Sequence, residues 1–161
     1  MKTFIYKTTQ ILLIALIVAT VAHAFYQSSL PTKQSIEQSD KIGQIVGEII
    51  PPETKPGDYV QKNIRKLAHF TEFFFLGLWT GAYVFIFLRK RGALSLLLPF
   101  GIIVALLDET VQIFSKRGSS VKDVWIDTFG YVSAILLLLL VFLAILAIRH
   151  IRRIRRGRIS I

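Results

Sequence analysis

Four apolar stretches separated by polar connections constrain this chain more than any other feature of its sequence. A helix rises about 1.5 Å per residue, so about 20 apolar residues cross the roughly 30 Å hydrocarbon layer of a bilayer. The stretches at 4–25, 67–88, 93–115 and 123–148 meet that requirement. Inside a membrane the backbone must be satisfied by helices or by a closed barrel. A barrel needs many strands of about 10 residues with alternating polarity, and no such alternation is present. The sequence therefore predicts an all-α integral membrane protein. Its four transmembrane helices form one domain over residues 1–161, with a basic tail at 149–161. A hydrophobic content of 53% agrees, since soluble domains carry roughly 45–50% even with glycine counted.

Lys2 and Lys7 precede the apolar run Ile11–Phe25, which contains Ala22-His23-Ala24. That order also fits a secretory signal with an A-x-A cleavage site. Counted from Phe4, the stretch is about 33 Å long as a helix, enough to span, so a retained helix is expected and cleavage after Ala24 is the alternative. Gln27–Lys66 forms a long polar connection. Within it Ile42, Ile45, Val46 and Ile49 recur at helical spacing before Pro51-Pro52. This is the pattern of an amphipathic helix in the first outer loop, lying on the membrane surface or packed on the bundle. PPETKPG reads as a turn, and Asp58 with Gln61 as a capping box opening the helix of the second span. Pro99 predicts a kink in the third span. Ser120 with Asp123 predicts the N-cap of the fourth.

Twenty Lys and Arg against ten Asp and Glu give a formal net charge of +10. In a soluble chain that balance points to nucleic acid. Here the cations gather at span ends, where topology and anionic lipid account for them, and no nucleic-acid partner is expected. The absence of cysteine excludes disulfides, thiol catalysis and Cys-based zinc sites. With four spans, Lys2, Lys7, Arg89-Lys90-Arg91 and the six arginines of the tail fall on one side. Dense positive charge in short connections marks that side as cytoplasmic, which places both termini there. The loop at 115–122 breaks the pattern with Lys116, Arg117 and Lys122 on the outer side. Either those cations have another task, or one weak loop is outvoted.

The stretch from Ala105 to Tyr131 carries the chemistry. The third span ends in Asp108, Glu109 and Gln112, and the fourth begins with Asp123 and Asp127. Helix rise puts Glu72, Glu109 and Asp127 roughly 7–11 Å below the same membrane edge on three helices. His69 and Glu72 share a face of the second span, as do Glu109 and Gln112 on the third and Asp123 and Asp127 on the fourth. Ionisable side chains at such depth avoid lipid, so they are expected to face one another beneath Arg117 and Lys66. One reading is a structural network setting helix register; the other is a site for head-group binding or acid–base chemistry. One His among carboxylates suits a hard divalent ion in principle, but no metal set can be assigned from spacing, and no cofactor is named. HFTE lacks the second histidine of HExxH. Ser119 and Ser120 have no nucleophile elbow and read as capping residues.

Two blocks, KLAHFTEFFFLG at Lys66–Gly77 and DETVQIFSKRGSSVKDVWIDTFG at Asp108–Gly130, resemble the VanZ-like family of small bacterial membrane proteins. The matching positions are Lys66, His69, Glu72, Phe73, Glu109, Gln112, Phe114, Arg117, Asp123 and Gly130. Asp127 departs from the pattern, which carries Asn there. The resemblance implies a bacterial cytoplasmic membrane protein of the cell envelope. The family's name comes from an association with glycopeptide resistance, teicoplanin in particular.

Two functions follow as expectations. In the first, an outer-leaflet pocket binds an anionic lipid head group or lipid-linked wall precursor through Lys66, Gln112, Arg117 and Lys122. In the second, a membrane-embedded hydrolase or transferase draws its catalytic groups from His69, Glu72, Glu109, Asp123 and Asp127, with Glu109 or Asp123 as general base and His69 as acid or ligand. A transporter would need more spans than four, and hence an oligomer.

Overall fold

The computed structural model describes residues 1–88, 91–115, 118 and 120–158. It is all-helical in these residues: α1 Lys2–Ser29, α2 Thr32–Ile49, α3 Lys55–Tyr83, α4 Arg91–Phe114 and α5 Val121–Arg158. Helix α3 runs on into a π-helical turn at Val84–Leu88. All helices but α2 are long and apolar enough to cross a membrane.

The ends of the helices follow local chemistry. Helix α3 begins before the expected Asp58–Gln61 capping box. Thr54 is its N-cap, accepting the Gly57 amide at 3.1 Å, and Pro56 lies in the first turn. A hydroxyl cap followed by a residue with pre-set φ is a stronger start signal than the downstream acid. Asp58 instead pairs with Lys62 at 2.8 Å, and Gln61 donates to the Gly43 carbonyl of α2 at 2.5 Å. Helix α4 continues through Pro99. Ser120 caps α5, its hydroxyl accepting the Lys122 amide at 3.2 Å. The basic tail is no separate element: α5 extends unbroken to Arg158.

Helix α2 lies against α3, yet Ile45 and Ile49 of its apolar stripe remain exposed, the latter at 78%. Packing through Gln61 and an outward apolar edge combine the two readings of this segment.

The spanning helices alternate in direction. At one end, Tyr6 of α1 meets Phe87 at a ring separation of 4.7 Å, Gln10 donates to the Tyr83 hydroxyl, and Phe85 stacks on Phe142 of α5. At the other end, Ser28 of α1 meets Asp108 of α4. Phe73, Leu76, Val104, Ala105 and Tyr131 form the core. Outward-facing Leu, Ile and Phe side chains are widely exposed on α1, α4 and α5, Phe4, Ile11, Ile103, Phe129 and Leu140 among them. A bundle with an inner core and an outer apolar coat is what lipid contact requires.

The largest interface joins α3 to α5. A Cβ on Gly77 would collide with the Tyr131 carbonyl, and one on Gly130 with the Phe70 carbonyl. Glycine is needed here because each backbone approaches the other within side-chain distance. Gly77→Val and Gly130→Val are therefore expected to destabilise the detergent-solubilised protein by about 1–3 kcal/mol. Gly92→Ala, where a Cβ meets nothing within 4 Å among the described residues, serves as the control that is not expected to destabilise in the same thermal unfolding series.

Candidate functional site

At the end of the bundle where α1 and α4 finish and α5 begins, six polar side chains are taken out of solvent. Ser28, Asp108, Gln112 and Asp127 are fully buried, Glu109 is 6% exposed, and the His69 side chain 12%. Their positions follow from helix periodicity: Asp108 and Gln112 (i, i+4) share the inner face of α4, and Arg65 and His69 share that of α3.

Asp108 is the hub. Its Oδ2 accepts a 2.7 Å bond from the Ser28 hydroxyl and a 3.1 Å bond from the Gln112 amide. The Gln112 carbonyl in turn accepts from Arg65 at 2.9 Å. One hydrogen-bonded chain therefore links α1, α4 and α3. His69 Nδ1 stands 3.8 Å from Asp108 Oδ2 and 3.8 Å from Asp127 Oδ1, beyond hydrogen-bond reach of both. Among the described residues, neither carboxylate oxygen of Asp127 has a hydrogen-bond donor.

Among the described residues, two cavities reach this centre. One, of about 220 Å³, is lined by Lys62, Asn63, Arg65, Lys66, Asp123 and Ile126 and ends on His69 and Asp127. The other, of about 140 Å³, lies among α1, α2 and α3, and Ser35, Gln38 and Ser39 of α2 face His23, Glu72 and His69 across it. His23 Nε2 lies 3.3 Å from Glu72 Oε1.

The expected site residues separate into distinct positions. His69 and Asp127 lie at the centre, and Asp123 and Lys66 line the first cavity, with Lys66 exposed. Glu72 faces the second cavity. Glu109 turns away to accept the Ser120 amide at 3.0 Å, tying the end of α4 to the start of α5. Gln112 is committed to the internal network, and Lys122 is exposed. Lys116, Arg117 and Ser119 lie outside the described residues.

Sequence reasoning placed Asp108 at the span end but did not select it, and it passed over Ser28, Arg65 and His23. Pairing Gln112 with i−4 instead of i−3 would have selected Asp108, and the Arg65–His69 spacing was equally available. Nothing in its local pattern singles out Ser28.

Four spanning helices around a buried, acid-rich centre define a multi-pass α-helical membrane protein with a polar site at one end of its bundle. The VanZ/LLP1 family profile matches residues 11–144, and the chain belongs to that family. No curated protein and no solved structure matches it.

Ser28 and Ser29 differ sharply in what they hold. Ser28→Ala removes a donor from a fully buried carboxylate and should cost about 1–3 kcal/mol. Ser29 is exposed and, among the described residues, bonds the Tyr26 carbonyl of its own helix, so Ser29→Ala should leave the thermal midpoint in detergent within error of the parent protein.

Proposed function

We propose that this VanZ-family protein acts in the bacterial cytoplasmic membrane as a receptor or modulator for an anionic head group, held beneath the outer leaflet. The ligand is a phospholipid or a lipid-linked wall precursor. The supporting observation is the first cavity: exposed Lys62 and Lys66 with part-buried Arg65 at its opening, His69 and buried Asp127 at its floor. Cations at the level of the head groups attract phosphate at about 1 kcal/mol each, while polar groups beneath read the remainder of the head. Arg117, outside the described residues, is a further cation that the sequence assigns to head-group binding, and Lys122 stands at the adjacent helix start.

The orientation rests on charge. Arg149, Arg152 and Arg153 occupy the opposite end of α5, which the positive-inside rule puts in the cytoplasm together with both termini. The site then opens outward, where wall precursors are used. A wall-precursor ligand is also the form of this reading that links the chain to glycopeptide resistance, including resistance to teicoplanin.

A hydrolase or transferase acting on a lipid-linked substrate is favoured by one specific observation, the placement of His69 at equal distance from two buried carboxylates. In that reading His69 with Asp127 carries the proton transfers, since Glu109 is engaged as a helix-joining acceptor.

Native mass spectrometry of protein released from phosphatidylglycerol-containing nanodiscs tests the receptor reading. The Lys62→Gln/Lys66→Gln double variant should retain anionic lipid on the order of tenfold less, with Arg117→Ala acting in the same direction and Lys33→Gln as control. Undiminished retention by the folded double variant would reject it.

A further inference from the structure

We infer that His69, Asp108 and Asp127 form a binding site for one divalent first-row transition ion, of the Mn²⁺ or Zn²⁺ type. One residue comes from each of α3, α4 and α5, and one donor atom from each lies within 4.8 Å of the other two. The His69 nitrogen is 3.8 Å from an oxygen of either acid. Ligands bonded at about 2.1 Å in tetrahedral or octahedral geometry are about 3.0–3.5 Å apart. His69 therefore needs to draw in by about 0.3–0.8 Å toward each acid, and the two acids, within 4.8 Å of each other, by about 1–2 Å at most, to close on an ion.

Asp127 supplies the second observation. It is fully buried, neither of its oxygens has a hydrogen-bond donor among the described residues, and Oδ1 lies 3.8 Å from the His69 nitrogen. A buried carboxylate that stays ionised must be paired, hydrogen-bonded or metal-bound, and among the described residues the His69 nitrogen at 3.8 Å is the polar group beside this one. Asp108, by contrast, is held in place by Ser28 and Gln112, the kind of outer support that orients a metal-binding carboxylate. An imidazole with two carboxylates is a mixed nitrogen and oxygen set, which favours Mn²⁺ or Zn²⁺ over the all-oxygen preference of Ca²⁺. The first cavity ends on His69 and Asp127, giving the ion a path in and leaving a side open to water or a ligand oxygen.

This site does not depend on the head-group reading, because the ion can be titrated without anionic lipid. The full chain in nanodiscs of zwitterionic lipid is titrated with Mn²⁺, and free ion is followed by electron paramagnetic resonance. The expected result is one saturable ion per chain, with affinity reduced at least tenfold in Asp127→Asn and in His69→Gln, and unchanged in Glu37→Gln, an exposed acid on α2. Ion binding should also raise the thermal midpoint of the parent protein and not that of Asp127→Asn. Absence of a stoichiometric ion, or binding retained by folded Asp127→Asn, overturns the assignment. Should Asp127→Asn fail to fold, His69→Gln decides alone: undiminished affinity there overturns it.

Discussion

Apolar helices surrounded by lipid gain little from hiding apolar surface from one another, so close contact must hold them together. In this bundle the decisive contact is the crossing of α3 and α5. Gly77 lies against the Tyr131 carbonyl, and Gly130 against the Phe70 carbonyl, a reciprocal arrangement with a small residue on each helix. The crossing fixes register as well as distance. With Phe70 held beside Gly130, His69 and Asp127 are brought to within 3.8 Å at the adjoining turn. Tyr131 extends the same contact, since its ring packs toward Phe100 of α4 and its hydroxyl bonds Thr80 at 2.9 Å. The polar centre is thus a consequence of glycine placement some distance from the polar residues themselves.

Most of the architecture was legible from hydropathy. The four spans need only length and apolar content to be found, and lipid imposes helices once they are found. Depth was legible too, because helix rise converts residue spacing directly to ångströms; Glu72, Glu109 and Asp127 do fall at one end of the bundle. Rotation about each helix axis was harder to read. Asp108 and Glu109 are neighbours in sequence, about 100° apart on the helix, and which one faces inward depends on where α1 and α3 sit. The fold puts Asp108 at the centre and sends Glu109 to the Ser120 amide. Ser28 was illegible for the same reason in stronger form: its importance lies wholly in a contact eighty residues away.

The first span also proves to be part of the site. Ser28 anchors Asp108 from α1, and His23 meets Glu72 across the second cavity. Loss of residues 1–24 would remove His23 and most of the helix that positions Ser28. Helix α2 then closes this side by presenting Ser35, Gln38 and Ser39 to the cavity while Ile45 and Ile49 point outward. A segment whose hydrophobic pattern describes only its outer edge contributes to the site through the polar face between.

Helix α5 sets a length scale for the whole molecule. Arg149 lies 28 residues beyond Val121, about 42 Å at helical rise, against about 40–45 Å for a bilayer with its head groups. Asp127, six residues in from Val121, therefore sits about 9 Å along that measure. With Arg149 seated among the head groups of one leaflet, the same rigid rod brings Val121 to those of the other. The helix acts as a ruler. It assigns the buried carboxylate to the boundary between head groups and hydrocarbon, the depth at which a lipid presents the linkage between its polar and apolar halves.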